Sequence, residues 1–171
     1  MYKRQFIYTP LKRYSRVAVF IGAIAGAMPM LIGCVAFDGY VSAFALSLFM
    51  IQLAWQFPHF WSIAFLSFDD YNKAGFSFIP KNELGTIDTS VSLSSIIYAF
   101  GLIVINVAMY IMGIVGLLGF VGLLLLSAVY FGYSVMFYKR FDRLSARKLM
   151  FCSLLYVPMV LVVCIIDLMV Y

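Results

Sequence analysis

Apolar residues run along this chain in blocks separated by short polar or glycine-containing breaks. A membrane-crossing helix needs roughly 20 mostly apolar residues. Five blocks meet that length: Val17–Phe37, 42–66, 89–112, 114–138 and Leu149–Val170. The second lies within the charge-free stretch Gly39–Phe68. The third and fourth share the charge-free stretch Thr89–Tyr138, which is too long for one span and divides naturally at Gly113 and Gly116. The runs are continuous and lack the two-residue alternation of barrel strands. The pattern therefore predicts an all-α integral membrane protein of five transmembrane helices in one domain, 1–171, with a polar loop at 67–88.

Composition sharpens this. Of 171 residues, 65% are hydrophobic and 11% charged, and the mean hydropathy is +1.03. A soluble domain carries about 25% charged residues, so a water-soluble enzyme, a disordered tail and a disulfide-rich secreted module are excluded. The 12 basic residues fall in three clusters: before the first block, between the second and third, and between the fourth and fifth. Basic loops stay cytoplasmic. The expected topology in a plasma (inner) membrane is N-terminus inside, C-terminus outside and loop 67–88 cytoplasmic. The net charge of +5 is accounted for by anionic membrane lipids and calls for no nucleic acid. Cys34, Cys152 and Cys164 show neither metal spacing nor a disulfide framework. The glycines Gly22 and Gly26, and Gly113, Gly116, Gly119 and Gly122, read as close helix-packing positions.

Two features go beyond a membrane anchor. Gln52, Gln56 and His59 recur at helical spacing, and seven residues from Gln52 to His59 return within about 20° of one face. If the helix continued to Asp70, that face would run down to the cytoplasmic edge. Pro58 removes a backbone donor beside His59 and crowds the carbonyl of Ala54. An ionisable residue in a span normally faces a cavity or a partner; a hydrogen-bonded packing histidine is the simpler reading. The loop holds Asp69, Asp70, Glu83 and Asp88 against Lys73 and Lys81. Adjacent carboxylates repel unless a cation compensates, and Mg²⁺ takes one or two carboxylates plus phosphate oxygens. A solvated loop is the plain alternative.

The stretches YTPLKRYS at Tyr8–Ser15, WQFPHFW at Trp55–Trp61 and DDYNKAG at Asp69–Gly75, followed by Pro80, resemble those of the haem O synthases (protohaem IX farnesyltransferases), a branch of the UbiA-type intramembrane prenyltransferases. The resemblance implies a nine-helix fold around a cavity open to lipid. It also implies transfer of a farnesyl group from farnesyl diphosphate to a vinyl group of haem b, a substrate rather than a cofactor, giving haem O for terminal oxidases. Mg²⁺ bound with the diphosphate is the implied cofactor, and haem A synthase an implied partner. By the same resemblance, Asp69 and Asp70 fall in the second acidic motif as metal ligands. Tyr71 and Lys73 belong to its loop, Lys12 and Arg13 to a basic diphosphate motif, and His59 to a histidine on the haem or proton-handling side. His59, Asp70 and Tyr71 are the expected catalytic residues, and Lys12, Arg13 and Lys73 the diphosphate-binding ones. Aromatic faces can stabilise an allylic cation; Tyr71, Trp55 and Phe57 are the candidates.

The acids here are adjacent rather than spaced D-x-x-x-D, and the family's first Asn/Asp-rich motif is absent. The five blocks therefore match helices five to nine, and the expectation is a C-terminal part that is inactive alone. Two other readings stay open: a related prenyltransferase with a quinone-type acceptor, and a non-catalytic membrane subunit.

Overall fold

The structure, a computed structural model, describes residues 17–73 and 79–170. Their regular structure is helical: α1 Val17–Asp38, α2 Ala43–Leu66, α3 Phe68–Lys73, α4 Ser90–Ile111, α5 Leu117–Arg140 and α6 Arg143–Val170. A single isolated bridge joins Lys81 and Ile87. The motif Tyr8–Ser15, with Lys12 and Arg13, lies outside the described residues.

Helices α2, α4, α5 and α6 pack as a closed ring, each against the next, and α1 packs on α2. The core holds Leu48, Ile51, Leu102, Met109, Leu123, Tyr130, Phe137, Leu149 and Val160. Many large apolar side chains face outward, including Phe100, Leu125, Leu155 and Ile165. Water would penalise that surface, whereas lipid does not. Among the described residues, four helices are long and apolar enough to cross a membrane. Helix α2 has the length and no charge, but Gln52, Gln56, Pro58 and His59 make it less apolar. Its place explains this: α2 touches α1, α4 and α6, so much of its surface meets protein instead of lipid.

Local chemistry sets the ends. Ser42 caps α2 by accepting from the Ala45 N–H at 3.1 Å and donates to Asp38 Oδ2 at 2.9 Å; such a cap contributes about 1 kcal/mol. Helix α5 ends at Phe141, which adopts a left-handed φ of 45°. That conformation costs a non-glycine residue about 1–2 kcal/mol. Here it is offset by the ring, which meets Phe65 edge-on at 5.0 Å and stacks on Phe137 at 5.8 Å. Helix α6 starts at once with a reciprocal cap. The Ser145 N–H donates to Asp142 Oδ1 at 2.7 Å. These bonds from Ser145, side chain first, hold the Asp142 carboxyl below the ordinary carboxylate value.

The glycine series before and within α5 has a specific use. Gly116 caps the helix, and its N–H and that of Gly119 both donate to the Asp167 carboxylate of α6, each at 2.8 Å. A Cβ on Gly119 would stand 2.5 Å from Asp167 Cγ, and one on Gly122 would stand 2.8 Å from Val163. Asp167, an isolated acid in an apolar block of the sequence, is thus a helix cap supplied from another helix.

Candidate functional site

The polar residues of α2 do not share one face. A Cβ on Gly26 would stand 2.6 Å from Gln56 Oε1, so Gln56 is seated against α1. His59 turns the other way, and its Nδ1 lies 2.7 Å from Ser153 Oγ on α6. Gln52 and Gln56 each keep a buried polar atom, Oε1 and Nε2 respectively, without a partner among the described residues. Helix α2 also stops before Asp70. It ends at Leu66, Ser67 leaves helical geometry (φ −106°, ψ 20°), and α3 restarts at Phe68. Arg143 Nη2 takes the Leu66 carbonyl at 3.0 Å, a bond that fastens this break to the start of α6. The continuous stripe from Gln52 to Asp70 expected from helical spacing is therefore not formed.

Ser153 fixes the tautomer of His59. Its hydroxyl lies 2.5 Å from the Met150 carbonyl. A carbonyl donates nothing, so the serine proton occupies that contact. A hydroxyl has one proton, so toward His59 Ser153 can only accept. A neutral ring in this contact carries its hydrogen on Nδ1 and keeps the Nε2 lone pair. Trp55 completes the fixture: its ring stacks on His59 at 4.8 Å and 15°, and its Nε1 donates to the Ser153 carbonyl at 2.8 Å.

This fixture continues into the bundle. Tyr130 of α5 donates to the Trp55 carbonyl at 3.1 Å and stacks on Tyr156 of α6 at 5.0 Å. The Tyr156 hydroxyl bonds Ser127 at 2.8 Å. Asn106 of α4 donates to Ser127 at 2.7 Å and to the Leu123 carbonyl at 3.1 Å. Sequence reading passed over Ser153, Tyr130, Tyr156, Ser127 and Asn106. The available signal was polar residues at helical spacing inside otherwise apolar blocks, such as Ser127 with Tyr130 and Ser153 with Tyr156.

The acidic end is built separately. Asp69 and Asp70 lie in the first turn of α3, exposed, with neither hydrogen-bond nor ion-pair partner among the described residues. Lys73, in the last turn, is exposed as well, and Tyr71 is partly buried against the core. Lys81 lies 5.8 Å over the Phe68 ring. Asp88 accepts from the Ser90 N–H at 2.6 Å, supporting the start of α4. Asn82 Oδ1 organises the turn between Lys81 and Ile87. His59 stands eight residues before Ser67, about 12 Å along the helix. It is thus no co-ligand of a metal held by Asp69 and Asp70.

Three or more metal-ligating side chains do not cluster among the described residues. Two free, adjacent carboxylates do not close a protein-only metal site. They do fit Mg²⁺, a hard ion that keeps waters and shares its shell with substrate phosphates. Of the aromatic candidates, Phe57 is buried between Phe20 (4.8 Å) and Tyr98 (3.9 Å) and takes a packing role. Trp55 serves as the platform for His59.

The family model for the UbiA prenyltransferase family matches residues 5–155. Protoheme IX farnesyltransferase of Christiangramia forsetii is 38% identical, over 94% of this chain and 54% of its own length. That of Flavobacterium johnsoniae is 38% identical with the same coverage. The one from Aquifex aeolicus is 35% identical over 92% of this chain and 52% of its own. The chain spans about half the length of the curated relatives it matches. No solved structure matches it significantly.

Proposed function

The chain belongs to the UbiA prenyltransferase family, and on that premise we propose that it works in farnesyl transfer from farnesyl diphosphate to a vinyl group of haem b, with one water adding to the cation left on the former vinyl group, giving haem O and pyrophosphate. The activity proposed is that of the whole protein. The observation that carries this reading is the Trp55–His59–Ser153 fixture. It holds His59 partly buried against α6, with Nδ1 engaged by Ser153 and Nε2 without a hydrogen-bond partner among the described residues. We assign His59 Nε2 to the acceptor side and Asp69, Asp70 and Lys73 to the diphosphate side, with Tyr71 in the same loop. Lys12 and Arg13 join the diphosphate side on sequence grounds alone.

The division follows the chemistry. The reaction breaks the C1–oxygen bond of an allylic diphosphate and builds charge on the leaving group. Mg²⁺ bound by Asp69, Asp70 and diphosphate oxygens would offset that charge. Lys73 would add a cation beside it. The apolar bundle keeps water from the allylic cation until the vinyl carbon captures it. The two groups stand apart along the helix axis, and we assign one to each of the two substrates.

The protein is a multi-pass membrane protein of this family. We infer that it lies in the plasma (inner) membrane with α3 at the cytoplasmic surface, since Lys139, Arg140, Arg143, Arg147 and Lys148 cluster at the same end of α5 and α6. Haem A synthase, which would consume the product, is the partner expected on this reading.

The test is haem O formation by the whole protein from farnesyl diphosphate and haem b. Asp70→Asn should lower turnover at least tenfold and raise the Mg²⁺ concentration needed for half-maximal rate. His59→Ala should abolish haem O formation while leaving farnesyl diphosphate binding intact. Unchanged haem O formation in both variants would overturn the assignment. Preference for a quinone precursor over haem b in direct competition would place the enzyme in another branch of the family.

A further inference from the structure

Helices α5 and α6 are tightly joined at one end and grooved at the other. Near Gly119 and Gly122 a single added Cβ would collide with α6. Toward the Phe141 connection the two helices instead border an open groove of about 500 Å³, lined by Leu126, Tyr133, Phe151, Leu155 and Met159 and ending at Lys148. The wall is almost wholly apolar, and its one charge is the Lys148 ammonium. Lys148 belongs to the cluster Lys139, Arg140, Arg143, Arg147 and Lys148, whose one acid, Asp142, is engaged by Ser145. The Tyr133 hydroxyl in the wall has no hydrogen-bond partner among the described residues.

The dimensions point to one class of ligand. Lys148 to Met159 spans eleven residues, a rise of about 16 Å along α6. One leaflet of hydrocarbon is on the order of 15 Å, half of the usual bilayer core. The groove thus runs from a cationic rim to about the bilayer midplane, the path of one acyl chain beneath its headgroup. Basic pockets between helices at a cytoplasmic surface select anionic headgroups. We propose that this groove is a specific binding site for one anionic phospholipid, with the phosphate on Lys148 and one acyl chain between α5 and α6. The groove shares Tyr156 with the polar network behind His59, but His59, Asp69 and Asp70 are not among its lining residues. A zwitterionic lipid would fill the same apolar wall but leave Lys148 without a net negative partner.

The experiment is native mass spectrometry of the whole protein, delipidated in detergent and titrated with phosphatidylglycerol or phosphatidylcholine of the same chain length. The expected result is one retained phosphatidylglycerol, held at least tenfold more tightly than phosphatidylcholine. Lys148→Glu should reduce that retention about tenfold. Val129→Trp, which fills the wall of the groove, should reduce retention of both lipids. A neighbouring change outside the lining, Arg147→Gln, should leave most of it. Both side chains at 147 and 148 are exposed, so these charge variants are expected to fold, and a melting curve on each checks that. Equal retention of the two lipids, or no response to Lys148→Glu and Val129→Trp in folded protein, would overturn the proposal. So would finding the groove covered by another segment or a second copy, read by cross-linking from a cysteine placed at Leu155.

Discussion

Replacing Asp167 with alanine removes two acceptors at once. Its carboxylate holds the N–H groups of Gly116 and Gly119 at 2.8 Å each, and both then lose their partner at the first turn of α5. Hydrogen bonds to a charged group contribute about 1.5–3 kcal/mol each, whereas an ordinary lost cap costs about 0.5–2 kcal/mol. Asp167 is buried, but it sits one turn from the end of α6, where water can enter and restore part of the loss. A loss of about 3 kcal/mol is therefore expected. Gly119→Ala tests the same contact from the other side. Its Cβ would stand 2.5 Å from Asp167 Cγ, so the carboxylate must leave. The better helix propensity of alanine returns about 1 kcal/mol, for a net loss of about 2 kcal/mol. Once Asp167 is alanine the obstruction is gone, and adding Gly119→Ala should stabilise rather than destabilise. The assay is reversible unfolding in mixed micelles by a denaturing detergent, followed by circular dichroism, on the parent, both single variants and the double. Additive losses in the double variant, or an Asp167→Ala protein within about 0.5 kcal/mol of the parent, would refute the inter-helix cap.

Three further outcomes are expected. Ser153→Ala frees the His59 tautomer without touching the reacting groups; haem O turnover should fall about 10–100-fold, as for other residues that orient a functional histidine, with the Mg²⁺ dependence unmoved. Gly26→Ala places a Cβ 2.6 Å from Gln56 Oε1 and should cost about 1–3 kcal/mol, most of it recovered by Gln56→Ala in the same chain, as read by detergent unfolding. Asp142 has a carboxyl held low by Ser145, so its contribution to stability is complete above the ordinary carboxylate value and fades as pH falls through its own lower one. Asp142→Asn should therefore lose stability at neutral pH and converge with the parent as pH falls, flattening the profile below about pH 4; an unchanged acid limb would show that the cap does not carry this pH dependence.

Much of the architecture was legible in the order of residues. Blocks of apolar residues marked where the long helices stand, and Gly113 and Gly116 marked the break between α4 and α5, where Gly113 indeed adopts a positive φ of 66°. The adjacent pair Asp69–Asp70 and the lone His59 stood out because charge and polarity are rare in such a chain. The site itself was only half visible. The spacing of Gln52, Gln56 and His59 implied one face, but α1 takes Gln56 and α6 takes His59. Helical spacing gives an angle around one helix and says nothing of how many neighbours stand around it. The continuation to Asp70 failed at Ser67, just after Leu66, whose carbonyl accepts from Arg143, 77 residues away.

The sequence by itself determined that the chain is helical and lipid-solvated, because transfer of residues into hydrocarbon is nearly additive along a short window and needs no knowledge of distant neighbours. Only the tertiary structure decided that Ser153 sets the tautomer of His59 across 94 residues and that Asp167 caps α5 across 51. A hydrogen bond requires two groups within about 3 Å and in line. That condition is met only after the rotation and depth of several packed helices are fixed together, and no single stretch of the chain contains it.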